Sequence, residues 1–559
     1  MLNPINLMKK QLIILLSVLC GISALAASPY EGPWVHATNY DTFPMYAEVG
    51  YDQALRPQFH FTSRVGWLND PNGMVYCDGE WLQAFQHYAK GNANGAKSWG
   101  QSVSTDLFHW TQLPHALNPY PNVKDPKGGE HAIWSGSAVV DELNALGKQR
   151  GDVKTLFAIF TVTHEVPDPK SKKPNGKTGA FFQVGAYSTD KGRTWTMIDG
   201  GKPLIDHVEG FDPGQRDPCV FYHPETKSYQ FIMELGGPNH IVRLWRSTDL
   251  IHWAPFLDIP DKSAECINMY PVPLDGDPKN LKWVIADAGT AYEVGDYDGK
   301  TWKGFGDKDK DGRRLKFECG DCYYAAQRFN QAPDNRMVHV GWLRSAAPGF
   351  SPFVDGGMPF TQQLSVPAEI TLRTTPEGIR MYRNPVKEIS VLYAKSDKFK
   401  DLTLAEANAK LSALKPELID MTVAFVPAGD LTLTVRGLKI EYVAARKIFV
   451  FTNSVRAEAE KAGMLKLPPD KQRTYKDTGR REIPAPEVDG KVTLRVLVDR
   501  ASLELFVNDG QAAASFVVIP DAQNRDNSIT GDGSTKITSL EVNELKSMWP
   551  APASAENLH

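Results

Sequence analysis

The chain has 559 residues, a net charge of −4 and no run of basic residues. That length exceeds what one hydrophobic core organises and predicts two or more domains. The charge excludes the basic footprint of a nucleic-acid-binding protein, so no nucleic-acid partner is expected.

The first 26 residues read as an export signal. Lys9-Lys10 is followed by the apolar run Leu12–Leu19 and by Ala24-Leu25-Ala26, a small-x-small cleavage site. The apolar run is too short, and too closely followed by proline and charge, to span a bilayer. Cys20 follows a bulky leucine where a lipoprotein signal carries a small residue, which argues against lipidation. No second apolar run of spanning length follows. The mature chain is therefore expected to be secreted or periplasmic and to have no membrane partner. It retains Cys77, Cys219, Cys266, Cys319 and Cys322. An odd count implies no complete disulfide framework, and buried thiols are the expected state.

Next comes Gly66-Trp67-Leu68-Asn69-Asp70-Pro71-Asn72-Gly73, set between Phe59–Phe61 and Met74-Val75-Tyr76. Pro71, Asn72 and Gly73 are turn formers, so the segment reads as a strand that ends in a tight turn. Asp70 there either caps its own turn or is presented for chemistry. An indole, an amide and a carboxylate side by side suit a sugar: a flat apolar face, a hydroxyl partner and a nucleophile.

An internal repeat follows. Ser104-Thr105-Asp106-Leu107-Phe108-His109-Trp110 returns at Ser188–Trp195, at Ser247–Trp253 and, more loosely, at Asp296–Trp302. Its tryptophans are separated by 85, 58 and 49 residues. Repeats of short strands and turns at this spacing predict a β-propeller, each copy forming the turn into a blade's outermost strand with its Trp packed between blades. The repeat aspartates are expected to close turns. Upstream of each copy lies a strand with a different polar group: Asp70, then Trp134-Ser135-Gly136-Ser137, then Gln215-Arg216-Asp217-Pro218, then Glu265-Cys266-Ile267-Asn268. A fifth, Gly320-Asp321-Cys322-Tyr323-Tyr324, follows the last copy, which makes five blades. Inner strands line a propeller's channel, so Asp70, Asp217 and Glu265 are expected to converge there. Asp307-x-Asp309-x-Asp311-Gly312 with Glu318 has the carboxylate spacing of a calcium loop, but its flanks read as strands and Arg314 takes an apolar position. A solvated loop between blades is the expectation.

Beyond Leu372 the pattern changes. Tyr382-Arg383-Asn384-Pro385 reads as part of a linker, residues 404–414 as a short helix, and later segments such as 491–499 and 502–507 as strands of a β-sandwich. The resulting division is a signal over 1–26, a propeller over 27–375, a linker over 376–390 and a sandwich over 391–550.

Trp67–Gly73, Arg216-Asp217-Pro218 and Glu265-Cys266 together resemble the three signature motifs of glycoside hydrolase family 32, which includes invertases, levanases and inulinases. The likeness extends to Gln86, Trp99-Gly100, Trp134–Ala138, Tyr324–Gln327 and Val498–Gly510. The resemblance implies an all-β fold, a five-bladed β-propeller followed by a C-terminal β-sandwich, in agreement with the repeat count. It implies retaining hydrolysis of β-fructofuranosides such as sucrose, levan or inulin, with Asp70 as nucleophile, Glu265 as acid/base and Asp217 as transition-state stabiliser. Asn69, Gln86, Ser135 and Arg216 are implied sugar ligands, and Trp67, Trp99, Trp134 and Trp342 apolar walls. No metal or organic cofactor is required. A fructosyltransferase would share every catalytic residue, and a silent fructan-binding protein is the reading from another class. Two departures stand out: Asn268 replaces an aspartate, and Gly341-Trp342-Leu343-Arg344-Ser345 replaces a segment that bears on the leaving group.

Overall fold

The computed structural model describes residues 49–550 apart from 90, 93, 94, 96, 122–129, 167–175, 238, 239, 263, 264, 346–352, 354–356 and 455–478. The export signal expected over 1–26 lies outside the described residues. Among the described residues no helix is long and apolar enough to cross a membrane.

Five antiparallel sheets follow one another along the chain, the fourth and fifth joined where Leu274 pairs in parallel with Leu372. The first is Gly66–Cys77, Glu80–Tyr88, Ser98–Ser104 and Thr111–Leu117; the second is Glu130–Val140, Leu156–Val166, Gly176–Ser188 and Thr196–Met197. The third is Arg216–His223, Ser228–Gly236, Ile241–Ser247 and Ala254–Ile259; the fourth is Asn268–Leu274, Asp277–Ala286, Ala291–Tyr297 and Trp302–Gly304. The fifth is Tyr323–Arg328, Val338–Leu343, Ala368–Thr375 and Gly378–Pro385. The first strands of the first four sheets pack in succession, that of the fifth packs on that of the first, and Asn268 of the fourth bonds the Ala326 carbonyl of the fifth, which makes these the inner strands of a propeller. The ring is closed where Phe360–Thr361 pairs in parallel with Gly66–Trp67 and where Asn330 bonds the backbone of Met74 and Tyr76.

The repeated motif does the work expected of it. Asp106 accepts hydrogen bonds from the backbone N–H groups of Phe108 and His109, and Asp249 from those of Ile251 and His252. Asp190 and Asp298 close the other two turns in the same way. Each tryptophan then packs toward the preceding unit: Trp110 stacks on Phe329 of the fifth sheet, and Trp253 on Phe157 of the second.

Two segments differ from expectation. Asp70-Pro71-Asn72-Gly73 is not a terminal turn but the middle of the strand Gly66–Cys77, broken by irregularities between Leu68 and Pro71 and between Asn72 and Val75. Around Pro71 this strand has no partner on its channel side, so a proline costs no ladder bond there, and a bulge re-aims the side chains around it. Gly73 has φ +51°, and a methyl group there would lie 2.7 Å from the Trp99 ring. Likewise Tyr382-Arg383-Asn384-Pro385 is no linker. It belongs to the strand Gly378–Pro385, which pairs with Ala368–Thr375 along its whole length.

The chain continues into two sheets of six and five strands that enclose a common apolar core, a β-sandwich. One helix, Leu404–Ser412, starts at a capping box in which Thr403 and Glu406 satisfy each other's backbone N–H groups. A buried ionic network joins sandwich to propeller. His60 lies between Asp499 (2.9 Å) and Glu504 (3.0 Å), and Arg383 binds Glu504 and Glu318. All five are essentially buried. Glu318 is thus committed to Arg383 and to the backbone N–H groups of Gly320 and Ser515. It does not close the acidic loop at 307–311, where Asp309 instead caps the backbone of Asp311 and Arg313.

Candidate active site

Asp70, Asp217 and Glu265, far apart in sequence, meet at the inner strands of the first, third and fourth sheets. Cys266 links them. Its backbone N–H donates to Asp217 Oδ2 at 2.9 Å, and its Sγ lies 3.5 Å from Asp217 Oδ2 and 3.6 Å from Asp70 Oδ2. Both Asp217 and Cys266 sit at positive φ, +65° and +49°, a backbone that turns their side chains into the hollow. The thiol is a buried free thiol; burial and the surrounding carboxylates push its pKa well above the usual thiol range, so it stays neutral. The other four described cysteines are also free.

Asp70 is held from behind. Ser135 Oγ donates to its Oδ2 at 2.6 Å and Asn69 Nδ2 to its Oδ1 at 3.2 Å. Gln86 ties these two donors together: it accepts from Asn69 at 2.6 Å and donates to Ser135 at 2.5 Å. Trp67 Nε1 donates to Asn69 Oδ1, which fixes the amide's orientation. Gln86 and Ser135 are fully buried in this ring. They orient the carboxylate, which differs from the direct sugar contact expected of them.

Arg216 bonds Glu265 Oε1 at 2.5 Å and lies 3.6 Å from Asp217, so one guanidinium serves two of the three carboxylates. Tyr324, from the fifth sheet, donates its hydroxyl to Glu265 Oε2 at 3.0 Å. Glu265 is far more exposed than Asp217, with 45% of its side chain exposed against 4%. Burial raises the pKa of Asp70, an effect that Ser135, Lys97 and Asn69 oppose and Glu265 reinforces. Burial also pushes Asp217 up to about 7, against the pull of Arg216 and with the help of Asp70 and Glu265. Three carboxylates in one hollow do not all ionise cheaply, so their titrations are coupled and a proton held there belongs to the group as a whole.

The walls are aromatic. Trp67 and Trp342 meet edge-on with centroids 6.2 Å apart, and Trp342 meets Tyr324 at 6.3 Å; both tryptophans are partly exposed. Trp134 is partly exposed and packs between Phe181 and the Lys97 ammonium, 4.3 Å from its centroid. Trp99 is a correction. It is completely buried beneath Gly73, with Nε1 donating to the Trp134 carbonyl, and it is part of the core between the first two sheets.

Four functional neighbours were not legible as such in the sequence. Tyr324 is on Glu265, Cys266 bridges the carboxylates, Lys97 is a buried cation whose field reaches Asp70, and Asn72 accepts from the Gly136 N–H to pin the second sheet to the first. Two carried a usable signal: Tyr324 by its place at the start of the fifth inner strand, and Cys266 by its place next to Glu265. Asn268 also gains a reason. Its amide nitrogen donates to two carbonyls, Cys266 and Ala326, a task that an ionised carboxylate cannot perform.

A propeller whose hollow gathers three carboxylates, an arginine and a tryptophan rim defines a glycoside hydrolase. The profile described as Glycosyl hydrolases family 32 N-terminal domain matches residues 60–385, and that of the family's C-terminal region matches 388–544. The chain belongs to glycosyl hydrolase family 32. It is 31% identical to a levanase of Bacillus subtilis (strain 168) over 532 residues, 89% of this chain and 72% of that one. It is 27% identical to an extracellular exo-inulinase of Aspergillus niger over 547 residues, covering 89% and 96% of the two chains. The crystal structure of exo-inulinase from Aspergillus awamori superposes with a TM-score of 0.72 at 24% identity, over 89% of this chain and all of the other.

Proposed function

We propose that this chain is a retaining, exo-acting β-fructofuranosidase that releases fructose from the non-reducing end of fructans and from sucrose. The observation that carries the reading is the carboxylate cluster around Cys266: two carboxylates that contact one thiol, with the third on the adjoining residue. Asp70, held by donors that keep its position fixed, attacks the anomeric carbon of the terminal fructosyl unit. Glu265 carries the cluster's proton to the leaving oxygen and then takes one from water, which frees fructose from the covalent fructosyl-enzyme. Asp217, buried and bonded by the Cys266 N–H, grips fructosyl hydroxyls as positive charge develops. Arg216 and Asn69 complete the sugar's polar partners, and Trp67, Trp134 and Trp342 its apolar walls. Asn69, Gln86 and Ser135 position the nucleophile.

Relatives named levanase, exo-inulinase and fructan beta-fructosidase support this substrate class. The basic, apolar and small-residue pattern of residues 1–26 supports export of the enzyme to where polymeric fructan is found. A hollow rimmed on one side by Trp67 and Trp342 suits a chain end held in a pocket, whereas an endo enzyme needs a groove open on both sides of the bond. A time course on levan or inulin is expected to show free fructose as the first product, with the polymer shortening slowly. Oligofructosides ahead of fructose would overturn the exo assignment. Products longer than the substrate, at high sucrose, would assign fructosyl transfer instead.

A further inference from the structure

We infer that Arg344 is a specificity-determining residue that binds the leaving sugar. The inference rests on the function proposed above and deepens it. Arg344 follows the strand Val338–Leu343, and its backbone N–H is anchored on the Cys322 carbonyl at 3.0 Å. Its guanidinium lies over the Tyr324 ring, 4.3 Å from the centroid, and the residue is exposed. Tyr324 in turn holds Glu265. Among the described residues the Arg344 guanidinium makes no hydrogen bond and no ion pair, in contrast with Arg216, which is committed to Glu265 and Gly214.

The position of these groups decides what they meet. In a two-carboxylate retaining site the acid stands beside the leaving oxygen, so groups flanking the acid on the side away from the nucleophile face the departing sugar. Asp70 is packed by Ser135, Asn69 and Cys266, whereas Glu265 Oε2 is flanked by Tyr324 and, stacked on it, Arg344. A guanidinium held over an aromatic ring by cation–π attraction still has N–H groups to offer hydroxyls, with less rotamer freedom left to lose on binding. The ligand chemistry is that of a neutral sugar with vicinal hydroxyls, the next fructosyl unit of a fructan or the glucosyl unit of sucrose.

The test compares Arg344→Ala with wild type on two kinds of substrate: sucrose and inulin-type oligosaccharides, and methyl β-D-fructofuranoside, whose methyl leaving group is too small to reach Arg344. For the former, kcat/KM is expected to fall by about 10–100-fold, the range of hydrogen bonds to a charged group. The loss on the methyl glycoside is expected to be at least fivefold smaller, and Arg344→Lys is expected to recover part of the loss on sucrose. Equal losses on both substrate types would mean that the residue acts through Tyr324 and Glu265, and would overturn the assignment, as would unchanged kinetics on both. Wild-type enzyme inert toward every β-fructofuranoside would instead refute the proposed function itself.

Discussion

Asp70→Asn is expected to lower kcat by about 10⁴-fold or more on any β-fructofuranoside, because it removes the nucleophile outright. Glu265→Gln is expected to cost about 10²–10⁴-fold, the usual worth of a positioned general acid. Neither change disturbs the core. The amide keeps the size of the carboxylate, Ser135 still has an acceptor at position 70, and Glu265 is half exposed. The two variants differ in a way that separates their roles. A substrate whose leaving group departs without a proton, such as a fructosyl fluoride, bypasses the acid in the first step and restores that step in Glu265→Gln. It does nothing for Asp70→Asn. Near-normal sucrose hydrolysis by either folded variant would contradict the assignment.

The second large effect is on stability. Glu504 is fully buried and accepts from the Val366 N–H, Ser515 Oγ, His60 and Arg383. Glu504→Ala leaves two cations facing an empty space at the seam between propeller and sandwich. Breaking a buried ion network by removing one partner typically costs about 3–5 kcal/mol. A clearly lowered thermal midpoint is expected, and unfolding at the wild-type temperature would refute the network's role. The pH dependence has a definite sign. Burial alone would lower the His60 pKa, but hydrogen bonds to Asp499 and Glu504 overcome it and raise the pKa to about 9 from 6.5. The stability this contributes is fully present below pH 6.5 and is lost as pH rises through about 9. Burial opposes ionisation of Glu504, yet His60 and Arg383 hold it at about 2, so its contribution is present above about pH 4.5 and lost as pH falls toward 2. The wild-type midpoint is therefore expected to fall between pH 7 and 9.5, and more steeply than that of Glu504→Ala.

The architecture was legible in the sequence because its turns are local. Ser-x-Asp fixes a turn through hydrogen bonds that span at most four residues, and seven-residue strings that differ only at Phe108 and Ile251 produce the same turn at 104–110 and 247–253. The three carboxylates were legible because each stands in, or just ahead of, an inner strand. The errors have the opposite character. Asp-Pro-Asn-Gly is a turn by propensity, but an inner strand with an unpaired channel edge absorbs a proline and a positive-φ glycine as bulges. Tyr382–Pro385 looked like a linker because Asn-Pro marks an exit; it is the fifth sheet's last strand, and Arg383 within it anchors the ionic seam. Trp99, Gln86 and Ser135 have the chemistry of sugar ligands, and burial alone assigns them to the layer behind. Tyr324 reaches Glu265 from the adjacent fifth sheet and carries Arg344 over its ring, a proximity that only the packing of neighbouring sheets creates.

The central claim, that Asp70 forms a covalent fructosyl-enzyme, is tested most directly by trapping. Glu265→Gln mixed with β-D-fructofuranosyl fluoride, quenched in acid and mapped by peptide mass spectrometry, is expected to carry one anhydrofructosyl unit on the peptide that contains Asp70. An adduct on the Asp217 or position-265 peptide would contradict it, as would fluoride release by wild-type enzyme with inversion at the anomeric carbon.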